Sequence, residues 1–338
     1  MRSAGFAVLL LVVGVARVSS AYCVAASCKV ESPDGEIVNG SMCVPVEQQD
    51  AGYPLVNPPC EVNAKSLHWG RDCIGFALGE PGSVQVSNAK AAELMRAAFA
   101  TWTSAPCQGG GPRIRVEDLG TVECADVEYN QEGGNVNVVV FRDTLWRHDP
   151  NALGKTTLSY EITTGEIYDA DIEINSTAGF VLQSEVPAGW MRPPTCDQAP
   201  DVAECLQYDL ASILTHEAGH FLGLAHSPVS SATMHFTVGL FDTEARSLDP
   251  DDVAGICSLY PPGEMSSMCN PIPRHGYSPY CFDDQIEGDC SIGAEHSGGW
   301  AWIAVLALIA MGGSVRRICN RCPPPRRAWA FQRRIVTR

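Results

Sequence analysis

The most constraining feature of this 338-residue chain is one short segment, residues 216–226, with the sequence HEAGHFLGLAH. On a helix, His216 and His220 lie one turn apart on the same face, so both imidazoles can reach a single metal ion. His226 follows six residues later and cannot share that face, so the chain must turn, and Gly223 can adopt the positive φ of such a turn. Three histidine ligands leave one position of tetrahedral zinc open, which is typical of a catalytic site.

Glu217 follows the first of these histidines and is not needed as a ligand. Its carboxylate is therefore free to take a proton from metal-bound water and to deliver it to a leaving amine. The pattern predicts a zinc-dependent endopeptidase, with Zn²⁺ as cofactor and a protein or peptide as substrate. The alternative is a non-catalytic surface module braced by zinc, although a bracing site is more often closed by a fourth protein ligand.

The sequence around this motif resembles the metzincin peptidases and, within them, the matrixins. The similar segments are the active-site helix (209–227), the Met-turn (231–236), the closing helix (246–262) and two strands that precede the active-site helix (152–160 and 164–175). The resemblance implies an α+β fold with a twisted mixed sheet, an active-site helix and a C-terminal helix. It also implies that Met234 forms a hydrophobic floor beneath the metal. Leu153 and Gly154 would then belong to the edge strand that pairs with substrate backbone.

The chain departs from the matrixin pattern in several places. No cysteine-switch motif lies upstream of the motif, so matrixin-type latency is not expected. Lys155 stands near the position where vertebrate matrixins place a histidine for a second, structural zinc, which argues against that zinc. No tyrosine follows directly after Met234, so the extra tyrosine ligand of astacin-like metzincins is not expected either.

Three acidic residues alternate along one predicted strand, Asp169, Asp171 and Glu173. Alternation places all three on the same face of the strand. Their carboxylates could bind Ca²⁺, which prefers oxygen ligands, or they could equally be solvated.

Hydrophobic periodicity predicts the elements around the motif. A helix capped near Ser87 would turn Ala92, Met95, Ala98, Phe99 and Trp102 toward the core. Two further helices are predicted at 208–224 and 249–259, and strands at 113–116, 135–141, 156–162 and 166–175, the second of them apolar enough to be central. This order of strands and helices fits one α+β domain spanning residues 65–262.

Both ends of the chain differ from this domain. Residues 1–21 have a basic start, an apolar run and small residues before a cut, as a signal peptide does. The other predicted segments are a Cys-rich N-terminal segment (22–64), a Cys-containing linker (263–297), a short apolar membrane or sorting segment with a basic flank (298–317) and a basic tail (318–338). We therefore expect an exported protein that contacts the membrane through its C-terminal segment.

Fifteen cysteines in an exported chain indicate disulfides, and the thirteen that precede the apolar segment are an odd number. Residues 288–317 resemble the sorting signals of myxobacterial surface proteins, in which a cysteine precedes a short apolar span and an arginine cluster. The resemblance would make Cys290 the odd cysteine, as a processing site and a candidate for lipid attachment. A stable single-pass anchor is the alternative.

The formal charge of −16 is most acidic in the exported part, because ten of the 23 basic residues lie in the signal peptide and the tail. Such a surface argues against nucleic acid as a partner. We expect a monomer at the cell surface or outer envelope.

Overall fold

A computed structural model describes residues 22–31, 37–43, 64–177, 181–183, 196, 205–281 and 335–337. The strands are β1 (Cys23–Glu31), β2 (Ile37–Cys43), β3 (His68–Trp69), β4 (Cys73–Gly79), β5 (Arg115–Val122), β6 (Val138–Arg142), β7 (Gly154–Tyr160), β8 (Glu166–Asn175), β9 (Val181–Gln183), β10 (Gln207–Asp209) and β11 (Ile335–Thr337). The helices are α1 (Asn88–Thr103), α2 (Leu210–Phe221) and α3 (Pro250–Leu259), with a 3₁₀ turn at Glu244–Arg246.

The main sheet has the strand order β11-β7-β8-β6-β4-β5, and β3 pairs with the first part of β8. Strands β3, β4, β5, β6 and β8 pair in parallel, whereas β7 is antiparallel to β8. The mixed sheet and its helices confirm the predicted α+β class. Strand β6 lies between β4 and β8, as its apolar sequence predicted.

The core lies between the sheet and the two longest helices, α1 and α2. Met95, Phe99 and Trp102 of α1 are buried as predicted, whereas Ala92 is only partly buried. The Phe99 ring packs edge-on against Phe221 of α2, with ring centroids 4.9 Å apart. The Trp102 indole Nε1 donates a hydrogen bond to the Thr215 carbonyl at 2.7 Å. Helix α1 therefore fixes α2 through apolar packing and through one buried polar contact.

Helix α2 and strand β5 differ in extent from the sequence prediction. Helix α2 is shorter than the predicted 208–224, because Asp209 belongs to β10 and caps the helix by accepting a hydrogen bond from the Ser212 N–H. Its other end is fixed by Gly223, whose φ of 96° lies outside the helical range. Strand β5 extends well past the predicted 113–116, because its pairing with β4 continues through polar residues that give no apolar signal.

The predicted Cys-rich N-terminal segment packs on the domain through β1. The Ala25 N–H donates to the Gly223 carbonyl at 2.9 Å, and the Ala225 N–H donates to the Cys23 carbonyl at 3.0 Å. Next to these contacts, the Ala25 carbonyl accepts from the Leu67 N–H at 2.8 Å. Strand β1 therefore pairs with the chain that connects α2 to His226.

The first part of the predicted linker, residues 263–281, is attached to the domain rather than extended from it. Disulfides join Cys73 to Cys269 and Cys124 to Cys281, and a third joins Cys107 to Cys257 of α3. These covalent bonds fasten the residues that follow 262 to β4 and to the chain after β5.

Several predicted features lie outside the described residues, namely the signal peptide, the apolar segment and Cys290. In the part of the chain that is described, no helix combines the length and the apolar character that crossing a membrane requires. Within the predicted basic tail, β11 pairs antiparallel with Thr156–Leu158 of β7.

Candidate metal centre and active site

Three histidine side chains meet beside the end of α2. The potential ligand atoms of His216, His220 and His226 all lie within 4.8 Å of one another. The His220 Nε2 and His226 Nε2 atoms are 3.2 Å apart. All three side chains are buried. The structure thus brings together the three residues that the sequence spacing selected.

Backbone carbonyls orient the first two imidazoles. The His216 Nδ1 atom lies 2.7 Å from the Thr233 carbonyl oxygen, and the His220 Nδ1 atom lies 2.9 Å from that of Leu224. A carbonyl oxygen only accepts, so Nδ1 carries the proton in both rings and Nε2 keeps its lone pair for a metal. Within the described part of the chain, the buried His226 Nδ1 atom has no hydrogen-bond partner.

Burial keeps these imidazoles neutral. It lowers the pKa of His216 to about 4 and that of His220 to about 3, and it lowers the pKa of His226 well below its usual value. Neighbouring rings reinforce the effect at His220 and His226. Neutral imidazole is the form that binds zinc, so the cluster needs no deprotonation at neutral pH.

The turn after α2 depends on Gly223. Its N–H donates to the His220 carbonyl at 2.9 Å, and its φ is 96°. A Cβ atom at this position would lie 2.4 Å from the Leu67 carbonyl oxygen, so both the conformation and the space require glycine. The turn returns the chain so that His226 faces the end of α2.

The loop after His226 supports the cluster from below. Met234 is buried, and its sulfur would lie 2.2 Å from a Cβ on Gly219, so the side chain packs directly against α2. The Asp252 carboxylate accepts hydrogen bonds from the Thr233 N–H at 2.7 Å and from the Met234 N–H at 3.0 Å. Asp252 therefore fixes the backbone that orients His216. The sequence pattern indicated only that Asp252 lies at the start of a predicted helix.

Glu217 lies beside the histidine cluster in a buried position. Its Oε2 atom accepts a hydrogen bond from the Thr156 hydroxyl at 2.6 Å. Burial raises the pKa of the Glu217 carboxyl to about 7, although the hydrogen bond from Thr156 acts in the opposite direction. A carboxyl with a pKa near neutrality can both accept and return a proton.

A cleft of about 370 Å³ opens in front of Glu217. Its lining includes the apolar side chains of Leu153, Tyr208, Ile213, Phe236 and Val238, together with Gly154, His216, Glu217 and His226. An extended peptide could therefore reach the cluster with one apolar side chain in the cleft.

The predicted substrate edge differs in one respect from the observed sheet. We expected β7 to be the outermost strand, but β11 pairs outside it, with Thr156, Thr157 and Leu158. Leu153 precedes β7, and its carbonyl accepts the Asn175 N–H at 2.9 Å. Gly154 begins the strand. Both residues therefore lie beyond the stretch that β11 covers.

Comparison with known proteins assigns this fold and site to a family. A sequence model of the matrixins, Peptidase_M10, matches residues 68–261. The chain belongs to the matrixin family. Members of this family depend on zinc and commonly bind calcium. The matched region contains α1, α2, α3 and the strands from β3 to β10.

Individual relatives of this matrixin align only over its most similar part. The chain is 48% identical over 54 residues to Metalloendoproteinase 1-MMP of Arabidopsis thaliana, which is 16% of this chain and 15% of that protein. It is 50% identical over 48 residues to Matrilysin of Rattus norvegicus, which is 14% of this chain and 18% of that protein. The chain thus spans less than a fifth of the length of the curated relatives it matches.

On the opposite face of β8, this matrixin has a polar network around Lys155. The Lys155 Nζ atom is 2.8 Å from the His148 Nδ1 atom, and the His148 Nε2 atom is 2.8 Å from the Glu173 Oε2 atom. Arg142 donates to the other Glu173 oxygen at 2.7 Å. Burial opposes ionisation of Glu173, but the hydrogen bonds from His148 and Arg142 hold its pKa below the usual value. No sequence pattern indicated that His148 joins this network.

The other two acids of β8 are buried rather than solvated, so the solvated alternative is wrong for them. The Asp171 Oδ1 atom accepts from the Val138 N–H at 2.8 Å. Asp169 has an Oδ1 atom without a hydrogen-bond partner among the described residues, and it lines a cavity of about 520 Å³. Burial raises the pKa of both carboxyls well above the usual value. Together with Glu173 they form no convergent ligand group in the described structure.

Proposed function

We propose that this matrixin is an exported, zinc-dependent endopeptidase that hydrolyses peptide bonds with metal-activated water. The observation that carries the proposal is the convergence of three buried, neutral imidazoles beside a buried carboxyl at the end of an apolar cleft. A structural zinc site would need a fourth protein ligand. Among the described residues, the cluster contains three histidines and no further cysteine, aspartate or glutamate ligand.

The residues fit zinc in number, chemistry and orientation. His216, His220 and His226 would hold the ion, the first two through Nε2, because a backbone carbonyl engages Nδ1 of each. Bound zinc would lower the pKa of a water ligand to about 7 and polarise the scissile carbonyl. Glu217 would accept the proton of the attacking water on its carboxylate and deliver it to the departing amine. Its raised pKa, about 7, suits both halves of this transfer.

The substrate we propose is an extended segment of a protein or peptide. Its backbone would run beside Leu153 and Gly154, at the end of β7 that β11 leaves uncovered. One apolar side chain would enter the cleft between Tyr208, Ile213 and Phe236. Main-chain pairing gives such binding its affinity, and the cleft selects the side chain.

We propose calcium as a second cofactor, bound by fewer acidic residues than the three that the sequence suggested. Glu173 is held by Arg142 and His148, which leaves Asp169 and Asp171 as the acidic ligands. The unpartnered Asp169 oxygen supports this proposal, because an ion there would satisfy a buried polar atom.

The cellular location is also a proposal. Disulfides such as Cys73–Cys269, Cys107–Cys257 and Cys124–Cys281 support export to an oxidising compartment, together with the signal-like residues 1–21. We propose that the protein reaches the cell surface and is held there by its C-terminal segment, with Cys290 as the processing site. A stable membrane span is the alternative. Mass spectrometry of the mature protein would separate them, because processing removes residues after Cys290 and a span retains them.

The decisive experiment compares Glu217→Ala with Glu93→Ala, a change at an exposed residue of α1. Glu217→Ala should keep its zinc and lose about 10²- to 10⁴-fold in peptide hydrolysis, the range that general acid–base catalysis contributes. Glu93→Ala should keep both. Undiminished hydrolysis by Glu217→Ala would contradict the assignment. Unfolding on chelation, with no hydrolysis by the wild type, would favour the bracing alternative.

A further inference from the structure

Two residues of the neighbouring strand β7, Thr156 and Gly154, lie against the carboxyl of Glu217. The Thr156 hydroxyl donates to the Glu217 Oε2 atom at 2.6 Å, and its oxygen lies 3.3 Å from the Glu217 carbonyl oxygen. Thr156 is fully buried. A hydroxyl has one proton to donate, and the shorter contact to the carboxylate is the stronger hydrogen bond.

Gly154 lies two residues earlier on the same face of β7. A Cβ atom there would lie 2.5 Å from the Glu217 Oε1 atom and 2.8 Å from its Cδ atom. The φ of Gly154 is not in the left-handed region, so space rather than backbone conformation accounts for the glycine. The position therefore admits the Glu217 carboxyl only because it lacks a side chain.

We infer that Thr156 is a positioning residue for Glu217, and that Gly154 provides the space in which the positioned carboxyl sits. The terminal torsion of a glutamate is broad, so its two oxygens exchange places easily unless a partner selects one orientation. Thr156 holds Oε2 and leaves Oε1, beside Gly154 and the cleft, to accept the proton. This role rests on the proposed hydrolysis and adds a residue to it.

The same geometry links substrate binding to the orientation of the base. Gly154 and Leu153 line the cleft, while Thr156 lies two positions farther along the strand. A peptide backbone beside the start of β7 would therefore lie against the strand that holds the Glu217 carboxyl. Thr156 is not itself part of the cleft lining, so its hydroxyl acts on the chemical step through Glu217 and not through contact with the peptide.

The test compares Thr156→Val, Thr156→Ser and the matched control Thr157→Val. Valine keeps the shape of threonine but removes the hydroxyl, whereas serine keeps the hydroxyl. Thr157 is the next residue of β7, is also buried, and lines the cavity on the opposite face of the sheet. Measurements are kcat and KM on a peptide, zinc content, thermal stability, and the crystal structure of each variant.

Thr156→Val should lower kcat about 10- to 100-fold, as loss of a supporting hydrogen bond does, with KM and zinc content unchanged. Thr156→Ser should recover most of kcat, and Thr157→Val should resemble the wild type. In the crystal, Thr156→Val should show the Glu217 carboxyl rotated from its wild-type position.

Equal kcat for Thr156→Val and wild type would overturn the inference. So would a folded Thr156→Ser with the same loss as Thr156→Val, because the hydroxyl would then be irrelevant. If the wild type hydrolyses no peptide, the proposed function fails. The crystallographic comparison still tests positioning in that case, and an unmoved Glu217 carboxyl in Thr156→Val would refute it.

Discussion

Two buried polar clusters in this molecule flank the same pair of strands, and they differ in how their polar atoms are used. In the histidine cluster, carbonyl oxygens occupy Nδ1 of His216 and His220, so the remaining nitrogens point to one place. On the opposite face of β8, Glu173 is occupied by Arg142 and His148, and the Asp169 Oδ1 atom has no hydrogen-bond partner among the residues that the structure describes. Converging ligand atoms define the first as a metal centre, whereas shared burial alone does not define the second.

The largest predicted effect is the difference in bound zinc and in hydrolysis between a variant of the histidine cluster and a variant of the acidic residues of β8. His220→Ala should lose bound zinc and all measurable hydrolysis, because two remaining imidazoles do not form a stable catalytic site. Asp171→Asn should keep its zinc and most of its hydrolysis. Metal analysis after dialysis, together with peptide assays, measures both. Retention of zinc by His220→Ala would show that the histidine cluster is not the zinc site.

Gly154→Ala should lower hydrolysis about 100-fold, because the added Cβ displaces the Glu217 carboxyl by roughly 1 Å. The predicted clash is with Oε1 at 2.5 Å. Zinc content should not change, because the displaced group is not a ligand. The control is Gly111→Ala, because this exposed glycine has no left-handed φ and an added Cβ would meet its nearest atom only at 3.6 Å. Normal hydrolysis by Gly154→Ala would mean that the carboxyl does not need this space.

The histidine cluster and Glu217 could be predicted from the sequence, because helical spacing places His216 and His220 on one face and Gly223 allows the turn that returns His226. The rest of the site could not, since Thr156 and Asp252 reach it from a strand and a helix distant in the sequence. Thr156 lies 61 residues before Glu217, and no local pattern records such a contact. Asp169, Asp171 and Glu173 of β8 show the same limit. Their alternation predicted that they share one face of the strand, but it did not predict that they are buried.

The fold shows a similar division. The predicted cap at Ser87 is where α1 begins, because a local hydrogen bond to the Lys90 N–H determines it. The extent of β5 and the attachment of residues 263–281 were not predicted, because strand pairing and disulfides between distant residues determine them. Local signals were sufficient to predict the start of α1, whereas long-range contacts determined the extent of β5 and the attachment of residues 263–281.

Asp252→Ala should lower the free energy of unfolding by about 1–3 kcal/mol, because the buried N–H groups of Thr233 and Met234 lose their acceptor. His216 should also bind zinc more weakly, because Thr233 orients its ring. Asp252→Asn keeps one acceptor oxygen and should lose less. Chemical denaturation and zinc titration measure the two effects. An unchanged stability would remove Asp252 from the support of the histidine cluster.

The smallest predicted effect is the dependence of protein stability on pH that comes from Asp169 and Asp171. The folded-state pKa values of Asp169 and Asp171 are raised well above the usual value by burial. In metal-free protein their contribution to stability is therefore complete below the unfolded-state pKa of about 3.9, and it is lost as pH rises through the folded-state values.

Asp169→Asn should make this decline with pH shallower in the chelated protein. Added Ca²⁺ should reverse it in the wild type if calcium binds there, because the ion prefers the ionised carboxylates. Thermal denaturation across pH 4 to about pH 8 measures both effects. Identical pH curves for Asp169→Asn and wild type would show that burial of this pair has no energetic consequence.

The most direct test of the central claim is zinc X-ray absorption spectroscopy on the purified, zinc-loaded protein. Three histidine ligands with an open position predict three nitrogen neighbours at about 2.0–2.1 Å and one additional oxygen from solvent. Glu217→Ala should give the same spectrum, because Glu217 is not a ligand. A sulfur neighbour at about 2.3 Å, or a fourth protein nitrogen in place of solvent, would contradict the account.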